Sequence, residues 1–328
     1  MFNNDERMQN ENNDGCMEEQ MKHIRQGIYP TMITTFTADN QIDYAGLEAL
    51  LHYYAACRCD GIFALCLSSE IFHLSDREMR QMMRFISEHR PQGMSLIASA
   101  HTSADVETGV RQLSDMLENG ADEPVVILNR LAMADEPEDV VRRNAERLFQ
   151  AMPDVTFGIY ECPYPYKRLA SDELLQWFAG TGRIGFLKDT CCDAQRIRRR
   201  LKITEGTGMQ LFNANTATLL QSMRDGGCGF SGVMANFHAD LYAALYRYYL
   251  NKDERADRLQ AFLTLASLME TQLYPVCCKD HLKYLGIPAT LTTRSKSAAN
   301  WNDTLAAGVK ALKAMEDEIR RALPIEAC

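Results

Sequence analysis

Short apolar runs alternate with amphipathic helical patterns along most of the sequence, and this alternation limits the possible folds more than any other feature. Each run is continuously apolar, as expected for strands that are buried on both faces of a parallel sheet. Eight strand–helix units in one chain favour a closed (β/α)8 barrel of the TIM type, an α/β fold. The runs are GIYPTMIT (27–34), GIFAL (61–65), MSLIAS (94–99), PVVIL (124–128), VTFGIY (155–160), IGFLK (184–188), MQLFN (209–213) and GFSGVM (229–234).

Helix-start signals separate these runs. Asp43 is placed to cap the helix after the first run, and Ser75 with Glu78 has the spacing of a capping box. The alternative fold is an open doubly wound sheet, which a GxGxxG motif after the first strand would favour. No such motif occurs there, and GGCG (226–229) precedes a strand instead of opening a helix. We therefore interpret GGCG as a tight turn.

The pattern divides the chain into three parts. Residues 1–24 are polar and acidic without an apolar segment, so we expect a disordered or irregular tail that is neither a signal peptide nor a membrane anchor. Residues 25–250 are expected to form the barrel. Residues 251–328 are expected to form a helical appendage, with helices near 253–271, 275–286 and 298–323.

Charge and cysteine usage exclude several classes of protein. With 35 basic against 44 acidic residues, the net charge of −9 argues against nucleic acid as a main partner. The basic run RIRRRLK (196–202) is interpreted as a solvated helix face. No apolar stretch is long enough to span a bilayer. The eleven cysteines include no CxxC pair, which favours free thiols in a reducing cytoplasm and predicts neither a metal site nor a cofactor.

Lys188 is the residue that most needs an explanation, because it ends the apolar run that begins at Ile184. In a barrel of this type the active site lies at the carboxyl ends of the strands. Tyr160 ends the neighbouring strand, and side-chain alternation directs Asp189 to the opposite face from Lys188. Burial disfavours the charged ammonium and makes free amine available for attack on a carbonyl, with a nearby phenol to move protons. The alternatives are an exposed lysine or an ion pair with Asp189, and a core role for Tyr160.

Further polar residues are expected at the same end of the barrel. His101 is a candidate for substrate binding, against the alternative of a structural histidine. Asn215 is placed to contact a polyol-like substrate, and Arg130 to pair with an anionic one or with a surface carboxylate. Glu70 is expected to accept backbone hydrogen bonds in the loop after the second strand.

The order of these residues resembles the pyruvate-dependent Schiff-base lyase family of dihydrodipicolinate synthase and N-acetylneuraminate lyase, from about residue 27 to residue 286. No single motif is specific, but their order and spacing together are. The matching segments are GIYPTMITTF (27–36), CLSSE (66–70) in the place of Gly-Thr-Thr-Gly-Glu, LSDRE (74–78), YECP (160–163) in the place of Tyr-Asn-x-Pro, GFLKD (185–189), GGCG (226–229) with Asn236, and Tyr274-Pro275 with Lys279.

The resemblance implies a metal-independent class I aldolase or lyase. Lys188 would form an imine with a 2-keto acid such as pyruvate, Tyr160 would transfer protons, and the turn at Leu67, Ser68 and Ser69 would bind the carboxylate. The backbone at Ser231 would line the same pocket. The family likeness also implies an aldehyde-type second substrate and a homo-oligomer, either a tetramer or a dimer.

Departures from the family pattern bear on specificity. Leu67 stands where the family has the first of two threonines, so one hydroxyl of the proton relay is missing. Leu128-Asn129-Arg130 stand where the synthase has its second tyrosine, and Pro165 stands where it has the arginine that binds a distal carboxylate. These changes argue against the synthase reaction itself. A competing hypothesis is a non-catalytic barrel that binds keto acids or regulates.

Overall fold

In the computed structural model, which describes residues 24–326, eight parallel strands form a nearly closed barrel in the order β1-β8-β7-β6-β5-β4-β3-β2. The predicted (β/α)8 fold is confirmed. The strands are β1 Gly27–Ile28, β2 Gly61–Ala64, β3 Ser95–Ala98, β4 Glu123–Ile127, β5 Phe157–Tyr160, β6 Ile184–Asp189, β7 Gln210–Asn213 and β8 Gly229–Phe230.

Strands β1 and β8 are shorter than the apolar runs predicted. Beyond Ile28, Pro30 has no N–H to donate to a ladder, and the chain meets β2 only through the bridge between Thr31 and Phe63. Gly229 crosses the Gly27 backbone so closely that a Cβ would lie 1.9 Å from the Gly27 carbonyl oxygen, and its φ of +151° lies in a region that disfavours side chains. The seam of the barrel is therefore built from close backbone contacts and isolated bridges.

The helices follow the predicted order, and the predicted caps are present. The Asp43 side chain accepts from the Gly46 N–H, and Ser75 and Glu78 form the capping box. The barrel helices are α1 Tyr44–Ala56, α2 Asp76–His89, α3 Val106–Glu118, α4 Glu138–Ala151, α5 Asp172–Gly180, α6 Ala194–Thr204, α7 Leu219–Arg224 and α8 Ala239–Leu250.

Aromatic rings fill the interior of the barrel. The Tyr29 and Phe212 rings meet edge to face at 5.0 Å between centroids, and Phe186 packs 4.9 Å from Phe212 and 5.9 Å from Phe63. All four side chains are fully buried. Because these closely packed rings leave no room for solvent, the side chains at the carboxyl end of the barrel rest on a water-free layer.

The C-terminal segment is helical, as expected, but its α-helices are shorter than predicted: α9 Arg255–Ala266, α10 Val276–Leu282 and α11 Asp303–Ala322, with 3-10 turns between them. Buried Glu316 on α11 accepts hydrogen bonds from His238 at 2.8 Å and His281 at 3.0 Å. This carboxylate ties α11 to α8 and α10. The three-part division of the chain stays a prediction, and the tail at residues 1–24 lies almost wholly outside the described residues.

Cysteines within the described residues are mostly free thiols, eight in number. Cys57 is disulfide-bonded, so the prediction of free thiols is wrong for this residue. Over residues 24–326 no cluster of three or more metal-ligating side chains is arranged around a common point. None of the helices in that range combines the length and the hydropathy needed to cross a bilayer.

Candidate functional site

A cavity of about 540 Å³ opens at the carboxyl ends of the strands, where the sequence places the candidate site. Strands β5 and β6, the loop after β2, the loops after β6 and β7, and the C-terminal segment all contribute to it. Its polar lining consists of Ser68, Glu70, His73, Tyr160, Tyr164, Lys167, Lys188, Thr190, Cys192, Asn215, Glu270, Thr271, Tyr274, Ser295 and Lys296.

Lys188 and Tyr160 face each other at the floor of this cavity. They are register partners at the ends of β6 and β5, and the Lys188 ammonium nitrogen lies 4.4 Å from the centroid of the Tyr160 ring. The Phe63 ring, 5.4 Å from the same nitrogen, closes the other side. Both side chains are 3% exposed. The predicted juxtaposition of a dry amine and a phenol is therefore present.

Burial shifts the pKa of both groups. It lowers the pKa of Lys188, and the smaller opposing effects come from Cys66, Cys162 and Glu270. Burial also raises the pKa of Tyr160 well above its usual range, with smaller effects from Cys162 and Cys66. Both pKa shifts move the pair toward an unprotonated amine beside a protonated phenol, which is the combination that attack on a carbonyl requires.

A buried ion cluster holds the two strand ends. Arg200 on α6 donates to both oxygens of Glu161, at 2.7 and 2.8 Å, and to Asp189 at 2.5 Å, and all three side chains have no exposed surface. Asp189 therefore points away from Lys188, as alternation predicts. The interpretation of the basic run 196–202 as a solvated helix face is wrong for Arg200. Helical spacing places Arg200 on the same buried face as Ile197.

The loop after β2 presents Ser68 to the cavity. Leu67–Ser69 form a 3-10 turn, and the first N–H groups of such a turn have no partner within it. The Ser68 hydroxyl donates to the Thr31 hydroxyl at 3.1 Å. Ser69 is not among the cavity residues, because its hydroxyl donates to the Met32 carbonyl at 2.6 Å and turns into the barrel wall.

Glu70 links the C-terminal segment to the loop after β2 through hydrogen bonds. One carboxylate oxygen accepts from the backbone N–H groups of Arg294 and Ser295, each at 2.7 Å, and the other lies 3.4 Å from the Lys279 ammonium. Glu70 accepts backbone hydrogen bonds, as expected, but from residues far along the chain. Its left-handed φ of 61° shows that the loop is held against local preference.

Asn129 and Arg130 do not reach the cavity lining. The Asn129 amide is buried and donates to the carbonyls of Cys162, Tyr164 and Tyr166. It therefore shapes the loop after β5. The Arg130 guanidinium donates to the Asn129 side chain and lies over aromatic rings of the same region.

His101 and Ser231 are likewise buried outside the cavity lining, whereas Asn215 lies within it. The His101 ring accepts from the Ile127 N–H at 3.1 Å, and burial lowers its pKa to about 3, with a smaller effect from Arg130. A neutral imidazole thus joins β3 to β4. The Ser231 N–H donates to the Asn213 carbonyl, and Gly232 takes the cavity position instead.

The sequence did not predict a functional role for two residues of the cavity, Glu270 and Tyr274. Both line the cavity from the C-terminal segment, which folds back over the barrel mouth. Burial raises the pKa of Glu270, and Lys188 opposes this effect as a nearby cation. Their positions carry no strand-end signal, so only the Tyr274-Pro275 resemblance pointed to this segment.

Comparison with known proteins identifies the family of this chain. A model of the dihydrodipicolinate synthetase family matches residues 25–315. A curated 4-hydroxy-tetrahydrodipicolinate synthase of Methanococcoides burtonii is 21% identical over 267 residues, covering 80% of this chain and 89% of that protein.

Solved structures share the fold at low identity. YagE, a prophage protein of the dihydrodipicolinic acid synthase family from E. coli K12 solved in complex with pyruvate, superposes with a TM-score of 0.80 at 20% identity, covering 88% of this chain and 98% of that chain. The sialic acid aldolase of Ruminococcus gnavus gives a TM-score of 0.80 at 16% identity, covering 90% and 98%.

Proposed function

The chain belongs to the dihydrodipicolinate synthetase family, and from this premise we propose that it is a class I lyase or aldolase whose Lys188 forms a Schiff base with a 2-keto acid such as pyruvate. The observation that carries the proposal is the buried Lys188 amine facing Tyr160 at the floor of an open cavity. A lysine used only for solubility or for an ion pair has no need of a dry site beside a phenol.

Imine formation needs two proton movements. The Lys188 lone pair attacks the keto carbon, and Tyr160 moves a proton from the new ammonium nitrogen to the alkoxide oxygen. The resulting carbinolamine hydroxyl then takes a second proton and leaves as water, while the nitrogen lone pair closes the C=N bond. The iminium then withdraws electrons from the adjacent carbon, which allows a carbon–carbon bond there to form or break.

The turn at Leu67–Ser69 is the expected carboxylate site. Its first N–H groups can donate to an anion, and the turn borders the same cavity as Lys188. The cavity lining also includes the neutral side chains of Asn215, Thr190 and Thr271. These neutral groups suit an aldehyde-type second substrate that carries hydroxyls. Oligomeric state and a cytoplasmic location stay predictions.

The test is reductive trapping. The protein is incubated with pyruvate and with a panel of 2-keto acids and is then treated with borohydride. The mass of the intact protein is measured by mass spectrometry, and the adduct is located by peptide mapping. We expect an adduct on Lys188 that Lys188→Ala abolishes. Lys167→Ala is the matched control, because it removes a lysine of the same cavity whose ammonium is bonded to the Thr190 carbonyl; it is expected to keep the adduct.

A second candidate function is a barrel that binds keto acids without chemistry. Leu67 favours it, because an apolar side chain stands where the family pattern has a hydroxyl. Calorimetric binding of pyruvate to the wild type without any trapped adduct would support this function against the lyase.

A further inference from the structure

Besides Tyr160 and Tyr164, Tyr274 places a phenol in the cavity, on the side of the carboxylate turn. Its side chain lines the cavity together with Ser68, Tyr160 and Lys188. The ring packs 6.5 Å from that of Phe237. Burial raises the pKa of Tyr274 well above its usual range, whereas hydrogen bonding to Ser68 opposes this effect. The phenol therefore keeps its proton at neutral pH and has a hydroxyl neighbour.

The surrounding hydrogen bonds give this phenol a direction. The Asn236 amide donates to the Tyr274 oxygen at 3.4 Å, so the hydroxyl hydrogen points elsewhere. Asn236 is itself fixed, because its amide donates to the Thr31 carbonyl at 2.8 Å and its carbonyl accepts from the Tyr54 hydroxyl at 2.6 Å. Ser68 donates to Thr31, which leaves its oxygen free to accept from Tyr274. The Tyr274 hydroxyl can therefore donate to Ser68 or into the cavity.

The backbone shows that the position of Tyr274 is enforced. The preceding residue, Leu273, has a φ of 54°. A left-handed conformation is unfavourable for a bulky side chain, and such strain persists only where the surrounding structure imposes it. The Val276 N–H closes the turn onto the Leu273 carbonyl at 2.9 Å.

We propose that Tyr274 is a catalytic residue that supplies the second proton of imine formation, the one that lets the carbinolamine hydroxyl leave as water. Its proton passes to that hydroxyl directly or through Ser68, and solvent at the cavity mouth returns a proton to the phenolate. In this way a hydroxyl from the C-terminal segment of the same chain takes the place of the hydroxyl that Leu67 lacks. The inference rests on the proposed function and deepens it.

The test is a single-turnover rate of adduct formation, measured by quenching with borohydride at successive times over a range of pyruvate concentrations. For Tyr274→Phe we expect the limiting rate to fall by roughly 100-fold, the lower part of the range for general acid catalysis. We expect the half-saturating pyruvate concentration to change by no more than about twofold, because the ring and the carboxylate site remain. Tyr284→Phe, from the same segment but outside the cavity lining, is the matched control.

A fluorinated tyrosine at position 274 provides an independent readout if Tyr274→Phe does not fold. It keeps the size and hydroxyl of the side chain but lowers the phenol pKa, so a proton donor shifts the high-pH limb of the limiting rate downward. If Tyr274 has only a structural role, the high-pH limb of the limiting rate does not shift. An adduct in the wild type with unchanged rates in both variants overturns the role of Tyr274 alone, whereas no adduct in the wild type overturns the proposed function itself.

Discussion

Replacing Arg200 with methionine tests whether the buried ion cluster holds the ends of β5 and β6. Arg200 is fully buried and makes four side-chain hydrogen bonds: two to Glu161, one to Asp189 and one to the Ala170 carbonyl at 2.9 Å. Arg200→Met removes them all and leaves two buried carboxylates without their cation. Breaking a buried ion pair from one side costs about 3–5 kcal/mol, a large part of the ~5–15 kcal/mol that holds a domain folded.

Arg199 offers a matched control one residue away. Its ion pair with Asp172 is 3.3 Å long, with side chains 56% and 40% exposed. Exposed pairs contribute about 0–1 kcal/mol. Urea unfolding monitored by circular dichroism at pH 7 should therefore show a much larger loss in free energy of unfolding for Arg200→Met than for Arg199→Met. Equal losses would refute the reasoning.

The sign of the pH dependence gives a second check. Burial already raises the pKa of Glu161 in the folded protein, and Arg200 opposes this effect. Without Arg200 the folded-state pKa of Glu161 rises further above its unfolded value. An acid with a raised folded pKa favours folding at low pH and loses that contribution as pH rises through the folded pKa. The deficit of Arg200→Met should therefore widen from pH 5 to pH 8, and adding Glu161→Gln should recover part of it.

Two further predictions concern buried or cavity carboxyl groups. Burial, with a smaller contribution from Asp122, raises the pKa of Glu123 from 4.5 to about 8, so the free energy of unfolding should fall as pH rises between these values. Glu123→Gln should flatten that part of a plot of the urea midpoint against pH. An unchanged slope in the variant would contradict this prediction. The negative charge of Glu270 raises the pKa of Lys188, so Glu270→Gln should move the pH at which adduct formation rises to a lower value. A shift to higher pH in the trapping assay would show that this carboxylate acts in another way.

The fold and the central pair followed from local pattern. Apolar runs at regular spacing predict parallel strands whatever their partners, and Lys188 and Tyr160 end two such runs. Consecutive βα units make those strands neighbours, so their last side chains have to meet. The same logic predicted Ser68 and Asn215 in the cavity, and the structure brings both there.

The same logic places Asn129 and His101 at this edge, but both side chains bond to nearer partners, as the structural alternative for His101 expects. Asn129 satisfies carbonyls of the loop after β5, and His101 satisfies a buried N–H of β4. A buried backbone group without a hydrogen-bond partner destabilises the folded state, so the closest polar side chain usually bonds to it. Sequence spacing places such a residue at the right edge of the sheet but does not reveal which of its neighbours it will bond.

The sequence by itself determined the barrel, the edge where the site lies and the amine–phenol pair, because these depend on periodicity and chain order. Only the tertiary structure decided that Arg200 is buried, that Glu70 holds the C-terminal segment, and that Glu270 and Tyr274 complete the cavity. Those contacts join residues far apart in the chain. The contacts of Glu70, Glu270 and Tyr274 depend on how the last helices pack over the barrel mouth. The burial of Arg200 depends instead on the carboxylates of Glu161 and Asp189 that it meets at the strand ends.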